Sequence, residues 1–169
     1  MLRPAVSGDL AYIRSLVQRP GNAPYLTDED EAGLTVYLTD PTAHLLIWGD
    51  QRGFALFCEV GTTGNVVELR RLCLDEPGTG EGALFVQTLI DHAFTAFGAT
   101  RLWLDCSGEN LRAQRVYARE GFTLEGRLRQ HQFITVIGRY IDTLLYGMLR
   151  QEWQTLPRTS GLAAAPPHA

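Results

Sequence analysis

Lysine is absent from this chain of 169 residues: all 15 of its basic side chains are arginine. The absence reads as the codon bias of a GC-rich genome, and it excludes two chemistries. There is no lysine to form a Schiff base, and no Walker-type phosphate loop, which needs Gly-Lys-Ser/Thr. Cysteine is scarce and odd in number. Cys58, Cys73 and Cys106 are scattered, each inside an apolar run, as expected of buried free thiols in a reducing compartment. No two of them have metal-ligand spacing, and His44, His92, His131 and His168 do not cluster, so no metal site is expected. No apolar run approaches membrane-spanning length, and Met1-Leu-Arg-Pro4 has no charged-then-apolar signal. The expectation is a cytosolic protein without a membrane partner. No basic run is present and the net charge is −4, which argues against nucleic acid as a partner.

What is present suits one globular domain over residues 1–154, large enough to bury a core without staples. From Thr155 the chain turns to Pro, Ala, Ser and Gly, and the segment 155–169 is expected to be a disordered tail. Met1 to Ala5 reads as a short strand, and Asp9 as the cap of a helix bearing Leu10, Ile13, Leu16 and Val17 on one face. A second helix is expected to start at Thr27, with acids in its first turn. Its apolar face is Leu34, Tyr37 and Leu38, and it ends at Asp40-Pro41. His44–Trp48 and Phe54–Val60 flank a glycine turn and make a hairpin. Val66–Leu74 is a third β-rich run. A glycine-rich turn then launches a helix from about Gly82 to Phe97, stopped by Gly98. Strand Arg101–Cys106, helix Asn110–Glu120 and two long β-like runs, Phe122–Thr135 and Arg139–Leu149, complete the domain. Antiparallel hairpins on either side of a strand–helix–strand–helix unit predict an α/β (α+β) fold. Its mixed twisted sheet would have about seven strands, with about four helices on its faces.

The stretch Asp75–Phe122 carries the chemistry. Asp75-Glu-Pro-Gly-Thr-Gly-Glu-Gly82 between a strand and a helix presents bare backbone N–H groups at the positive end of a helix dipole, an arrangement suited to phosphates. A glycine turn alone is as often only a tight turn. Here the strand before it, the helix after it and a downstream helix placing Asn110, Ala113 or Gln114, and Tyr117 on one face favour the phosphate reading.

The order and spacing of these pieces resemble the GNAT superfamily of acyl-CoA-dependent N-acetyltransferases, and within it the RimJ/RimL group. The pieces are Leu2-Arg-Pro-Ala5 with Gly8-Asp-Leu10, Pro77-Gly-Thr-Gly-Glu-Gly-Ala-Leu84, Arg101-Leu-Trp-Leu-Asp105, Asn110-Leu-Arg-Ala-Gln-Arg-Val-Tyr117, Gly121-Phe122, Glu125-Gly126 and Tyr140-Ile-Asp142. The resemblance implies acetyl-CoA as cosubstrate and a primary amine as acceptor, attacked directly in a ternary complex. Members similar to this chain act on protein N-termini, polyamines, free amino acids or antibiotics, and a homodimer is left open. The resemblance further implies that Leu72, Cys73 and Leu74 bond the pantetheine arm through backbone atoms. Gly78, Thr79, Gly80, Glu81, Gly82 and Ala83 would hold the pyrophosphate, and Asn110, Ala113 and Tyr117 would contact the coenzyme. Two positions depart from the family pattern. Pro77 stands where Arg or Gln is usual, and Glu81 where an apolar residue is usual. A carboxylate beside a pyrophosphate is unfavourable unless its side chain points away.

Tyr117 is the family's tyrosine position. Amine attack on a thioester expels a thiolate, and a nearby hydroxyl can stabilise or protonate that sulfur. Because a phenol has a pKa of about 10 against roughly 8.5 for a thiol, hydrogen-bond stabilisation is the safer description. Cys73 becomes a wall residue rather than a nucleophile. Glu68 is either a general base on the strand before the glycine turn or the partner of Arg70 on the same strand face. Asp105 is a weaker competitor for the base, and His131 a remote one. A non-catalytic acyl-CoA-binding module is the alternative to an enzyme; a nucleotide-binding switch is nearly excluded by the missing lysine and Walker pattern.

Overall fold

The computed structural model describes residues 1–76, 78 and 80–157. Seven strands form one mixed sheet in the order β1-β2-β3-β4-β5-β7-β6. They are β1 (Leu2–Pro4), β2 (His44–Trp48), β3 (Gly53–Cys58), β4 (Val66–Leu74), β5 (Arg101–Ser107), β6 (Thr123–Ile134) and β7 (Arg139–Leu149). Helices α1 (Leu10–Val17), α2 (Glu31–Thr39), α3 (Glu81–Thr95), α4 (Leu111–Arg119) and α5 (Arg150–Thr155) connect or follow them. Every pairing is antiparallel except β4 with β5, the two strands joined through α3. A parallel neighbour requires such a crossover, which the length of α3 supplies.

Each face of the sheet has its own core. Helix α3 buries Phe85, Val86, Leu89, Ile90, Ala93 and Phe94, a stripe at helical spacing, against Val67, Leu69, Leu102 and Leu104. On the opposite face α1 buries Leu10, Ile13, Leu16 and Val17 against Phe54, Leu56 and Cys58. Strand β3 therefore alternates between the two cores, Ala55 and Phe57 entering one and its other apolar side chains the second. Full burial of each large side chain contributes about 1.5–3 kcal/mol, so two packed faces hold the sheet between helices.

The sequence-based elements appear in the expected order, with differences at their ends. Asp9 stands at the N-cap position of α1, but its side chain makes no capping hydrogen bond to that helix. Its carboxylate closes a single 3₁₀ turn at Ser7–Asp9, accepting from the Val6 N–H at 2.9 Å and from Arg3 at 2.7 and 2.8 Å. Helix α2 begins at Glu31 rather than near Thr27, capped by Asp30, whose Oδ1 accepts from the Gly33 N–H at 2.8 Å. The earlier acids are drawn elsewhere: Asp28 accepts from Gln18 at 2.9 Å and Glu29 from Arg71 at 2.6 Å. Long-range partners thus outcompete local helix extension. The short α5 was not anticipated; Trp153 on it stacks on Phe94 at 5.1 Å and donates to Asp91 at 2.7 Å. Thr155, where the expected tail begins, closes this helix, and Leu156 packs on the α3-side core. The tail from Arg158 onward lies outside the described residues. Among the described residues no helix is long and apolar enough to cross a membrane.

Candidate active site

A single extra residue in β4 creates the site. Pairing with β3 runs Phe57↔Leu69 and then Leu56↔Arg71, so Arg70 is the inserted residue of a β-bulge. Because side chains alternate, the insertion reverses the phase of the strand. Before it Val67 and Leu69 face the α3 side; after it Leu72 and Leu74 do, with Cys73 turned to the other core. Strands β4 and β5 share a ladder only where Val66–Glu68 meet Arg101–Trp103. Beyond Glu68 the strands part, and a cleft of about 510 Å³ opens between them.

One side of this cleft is built largely from backbone. Leu72, Cys73 and Leu74 line it while pairing with β3 through Ala55, Phe54 and Gly53. Their β5-facing edge has no ladder partner among the described residues. The glycine turn follows, with Gly78 at φ 102° and Gly80 at φ 85°. Both angles lie in the left-handed region, where a Cβ is strained and glycine is not. Gly80 then caps α3, so the N–H groups of Glu81, Gly82 and Ala83 begin the helix without acceptors inside it. This cradle fits a phosphate. Glu81 pairs its carboxylate with Arg52 from the β2–β3 turn, which offsets its charge. Pro77 and Thr79 lie outside the described residues.

Helix α4 closes the same side. Asn110 is its cap, Oδ1 accepting from the Ala113 N–H at 3.1 Å. Gln114 ties the helix to the end of β5, donating to Gly108 O at 3.0 Å and Ser107 O at 3.3 Å. Of the two candidates at this point of the helix, Ala113 faces the cleft. Tyr117 is buried, with its ring 5.6 Å from Tyr146 and 5.9 Å from Phe122, and it borders the cleft. Among the described residues none hydrogen-bonds its hydroxyl. Burial above all, with the neighbouring Cys106, Asp105 and Tyr146, drives its pKa well above that of a free phenol, so the group stays protonated. Burial likewise pushes the Cys73 thiol up to about 11. Its sulfur accepts from the Asn22 side chain at 3.2 Å, as befits a wall residue.

The opposite face is lined by charged side chains. Glu68 binds Arg70 twice through one oxygen, at 2.9 Å from Nε and 2.6 Å from a terminal nitrogen. Arg71 is held by Glu29 at 2.6 Å. Since Glu68 stands beside Trp103 in the ladder, Asp105 two residues further on shares their face. Asp105 lines the cleft and forms no hydrogen bond or ion pair with a described residue. Protein atoms strip part of its hydration, and this first, then the negative charge of Glu68, raises its pKa; His131 and Arg70 partly offset the rise. Strand β6 bulges near here, between Leu128 and Gln132, with Gln130 at φ 49° and its N–H donating to Asp142 at 2.8 Å. The bulge brings Gln132 to the cleft.

The predicted residues Leu72, Cys73, Leu74, Gly82, Asn110, Ala113 and Tyr117 line one cleft, with Gly78, Gly80, Glu81 and Ala83 in the turn and first helical residues at its end. Glu68 sits where the strands part, already paired. Sequence reasoning missed three contributions: Arg52, the Arg70 bulge, and Arg112, an exposed cation lining the cleft beside Asn110. The first two depend on tertiary register; Arg112 was legible as the second residue of α4. Among the described residues no group of three or more His, Cys, Asp or Glu could hold a metal ion.

Comparison with known proteins agrees with this geometry. The chain is 36% identical over 95 residues to an uncharacterised N-acetyltransferase of Mycobacterium tuberculosis, an alignment covering 53% of this chain and 59% of that protein. The chain thus spans little more than half the length of that relative. It is 25% identical over 181 residues to the spermidine N(1)-acetyltransferase of Escherichia coli K12, covering 99% of this chain and 95% of that one. In fold it is similar to the Vibrio cholerae spermidine N-acetyltransferase solved with CoA and spermine, with a TM-score of 0.81 at 22% identity. That likeness covers 92% of this chain and 98% of the other. Residues 10–122, most of the sheet and every element of the cleft's coenzyme-like side, match the Acetyltransferase (GNAT) family, and the chain belongs to it.

Proposed function

We propose that this protein transfers an acetyl group from acetyl-CoA to a primary amine by direct attack within a ternary complex. The observation that carries the reading is the parting of β4 from β5 opposite a phosphate cradle. The acyl carrier enters along the α3–α4 side. The free edge of Leu72–Leu74 receives its pantetheine amides as an added strand would, and the turn Gly78–Ala83 receives the pyrophosphate. Thr79 belongs to this assignment by resemblance. Asn110, Ala113 and Arg112 contact the same molecule, Arg112 offering charge to a phosphate. The amine approaches from the other face, through the gap between the strands. Tyr117 stands beside the departing sulfur as a neutral donor. Its elevated pKa makes it a hydrogen-bond donor that helps the thiolate leave, in keeping with the sequence argument.

The alternative of a coenzyme-holding module without turnover drew on Pro77 and Glu81. The pairing of Glu81 with Arg52 offsets the charge at one of these positions and so favours the enzyme reading. The finer identity of the acceptor divides two ways. The RimJ/RimL likeness favours a protein or peptide N-terminus, whereas the full-length relative from E. coli is a spermidine acetyltransferase. Both acceptors are primary amines, and that shared chemistry is the reading adopted. The test is CoA release from acetyl-CoA over a panel of peptides, polyamines, amino acids and aminoglycosides. Initial-rate patterns for the best acceptor should intersect, as a ternary complex requires; parallel lines would point to an acetylated enzyme instead. No CoA release with any amine, from protein that binds acetyl-CoA, would favour the module.

A further inference from the structure

Two carboxylates, Glu68 and Asp105, share one face of the sheet where β4 and β5 part, and only Asp105 lines the cleft. Glu68 spends one oxygen on two hydrogen bonds from Arg70. Asp105 has no partner among the described residues, although it lines the cavity past the point where β4 and β5 part. An unpaired carboxylate beside a paired one, at the mouth an amine must use, is poised for a cation that arrives with the substrate.

We propose that Asp105, rather than Glu68, is the counter-ion and proton acceptor for the incoming ammonium group. The inference rests on the acetyltransferase reading and assigns the catalytic base within it. The amine binds as R–NH₃⁺ against the Asp105 carboxylate and gives it one proton, which passes to water. The nitrogen then attacks the thioester carbonyl: the carbon–nitrogen bond forms, the carbon–sulfur bond breaks, and the nitrogen loses its second proton. One proton ends on the coenzyme's sulfur, next to Tyr117, and one is released to solvent overall.

The charged and titratable groups around Asp105 suit this role. Glu68 on β4 adds negative potential that favours a bound cation and a more basic carboxylate. His131 on β6 and Arg70, also on β4, act in the opposite sense, each more weakly than Glu68. Cys106 on the same strand and Tyr117 on α4 stay protonated beside it. The elevated pKa of Asp105 brings it nearer that of its amine, as an efficient base needs.

The test compares Asp105→Asn, Asp105→Glu and Glu68→Gln using the best acceptor from the panel, with acetyl-CoA affinity measured by calorimetry for each. A polyamine-like amine with a pKa near 10.4 is neutral only about once in 2,500 molecules at pH 7. An enzyme that binds the ammonium form should therefore show a kcat/KM plateau well below the amine's own pKa. Asp105→Asn should lose about 10²-fold or more at pH 7, with acetyl-CoA affinity unchanged, and should regain rate tenfold per pH unit as the free amine titrates. Asp105→Glu should restore part of the plateau, and Glu68→Gln, which leaves Arg70 unpaired near Asp105, should lower it far less than Asp105→Asn does. A plateau retained in Asp105→Asn and lost in Glu68→Gln would overturn the assignment while leaving the acetyltransferase reading intact. A parent that acetylates no amine would overturn both.

Discussion

On the α3–α4 side of the parted strands, the site is made chiefly of backbone atoms held by short-range geometry: two left-handed glycines, a helix start, a strand edge and an asparagine cap. On the other side it is made of charged side chains and their pairings: Arg71 with Glu29 from a distant segment, Glu68 with Arg70 along the same strand, and Asp105 with no partner among the described residues. The first kind of site recognises what all cosubstrate molecules have in common. The second is free to change with the acceptor, because exchanging one side chain does not disturb a ladder. Under the proposed function, specificity for the coenzyme and specificity for the amine rest on different materials on opposite faces of one gap.

The comparison is broken most severely by removing the one side chain on which the backbone-built side depends for chemistry. Tyr117→Phe deletes a hydroxyl and keeps the ring packing against Phe122 and Tyr146. Turnover should fall by up to about 10²–10⁴-fold, with acetyl-CoA affinity close to that of the parent. Single-turnover rates measure the chemical step directly. A mutant as fast as the parent in that step would leave the coenzyme side with a purely binding role.

Gly80→Asp tests whether the backbone cradle holds the coenzyme. Space is not the obstacle, since a Cβ there meets nothing within 4 Å. The cost arises from the φ of 85° and from a carboxylate placed where phosphates approach. Acetyl-CoA affinity should fall at least about tenfold, equivalent to about 1.4 kcal/mol, while thermal unfolding stays cooperative. Gly80→Ala, which carries the strain without the charge, should lose less. Equal losses in the two variants would make backbone conformation, and not charge, the determinant.

These two residues also mark how far the sequence reaches. The glycine turn, the Asn110 cap and Tyr117 were legible because each is a local pattern: positive φ where glycine stands, a short polar side chain before a helix, and helical spacing from Asn110 to Tyr117. The strand Val66–Leu74 was legible as a strand, but its bulge at Arg70 was not, because the slip exists only relative to β3. The ranking of Glu68 above Asp105 as base rested on strand position. The structure places Glu68 in the ion pair that the sequence offered as its structural alternative and leaves Asp105 without a partner among the described residues. The start of α2 was misplaced for the same reason, since acids that would extend a helix serve Arg71 and Gln18 instead.

A smaller effect separates wall from reagent on the coenzyme side. Cys73 is buried, its thiol is pushed up to about 11, and its sulfur already accepts from Asn22. Cys73→Ala should cost stability of about 1–2 kcal/mol as a small core truncation, and leave turnover within a few-fold of the parent. Abolished turnover with the fold retained would instead make the thiol a nucleophile and replace direct transfer with a two-step route.

The mildest test lies where the two materials meet, at the one side chain of the cradle that carries charge. Arg52 and Glu81 are both partly exposed, so their ion pair adds at most about 1 kcal/mol to stability and is screened by salt. Its importance lies in direction. Glu81 is the first residue of α3, where a carboxylate left loose would compete with the phosphates for the same N–H groups and repel them besides. Arg52→Ala should therefore weaken acetyl-CoA binding by about three- to tenfold, with the loss shrinking as salt is raised. Glu81→Gln added to Arg52→Ala should restore most of that affinity, because it removes the charge that Arg52 was holding aside. Full additivity in this double-mutant cycle would mean that Glu81 never reaches the phosphates, and that the departure from an apolar residue at this position is neutral for the coenzyme.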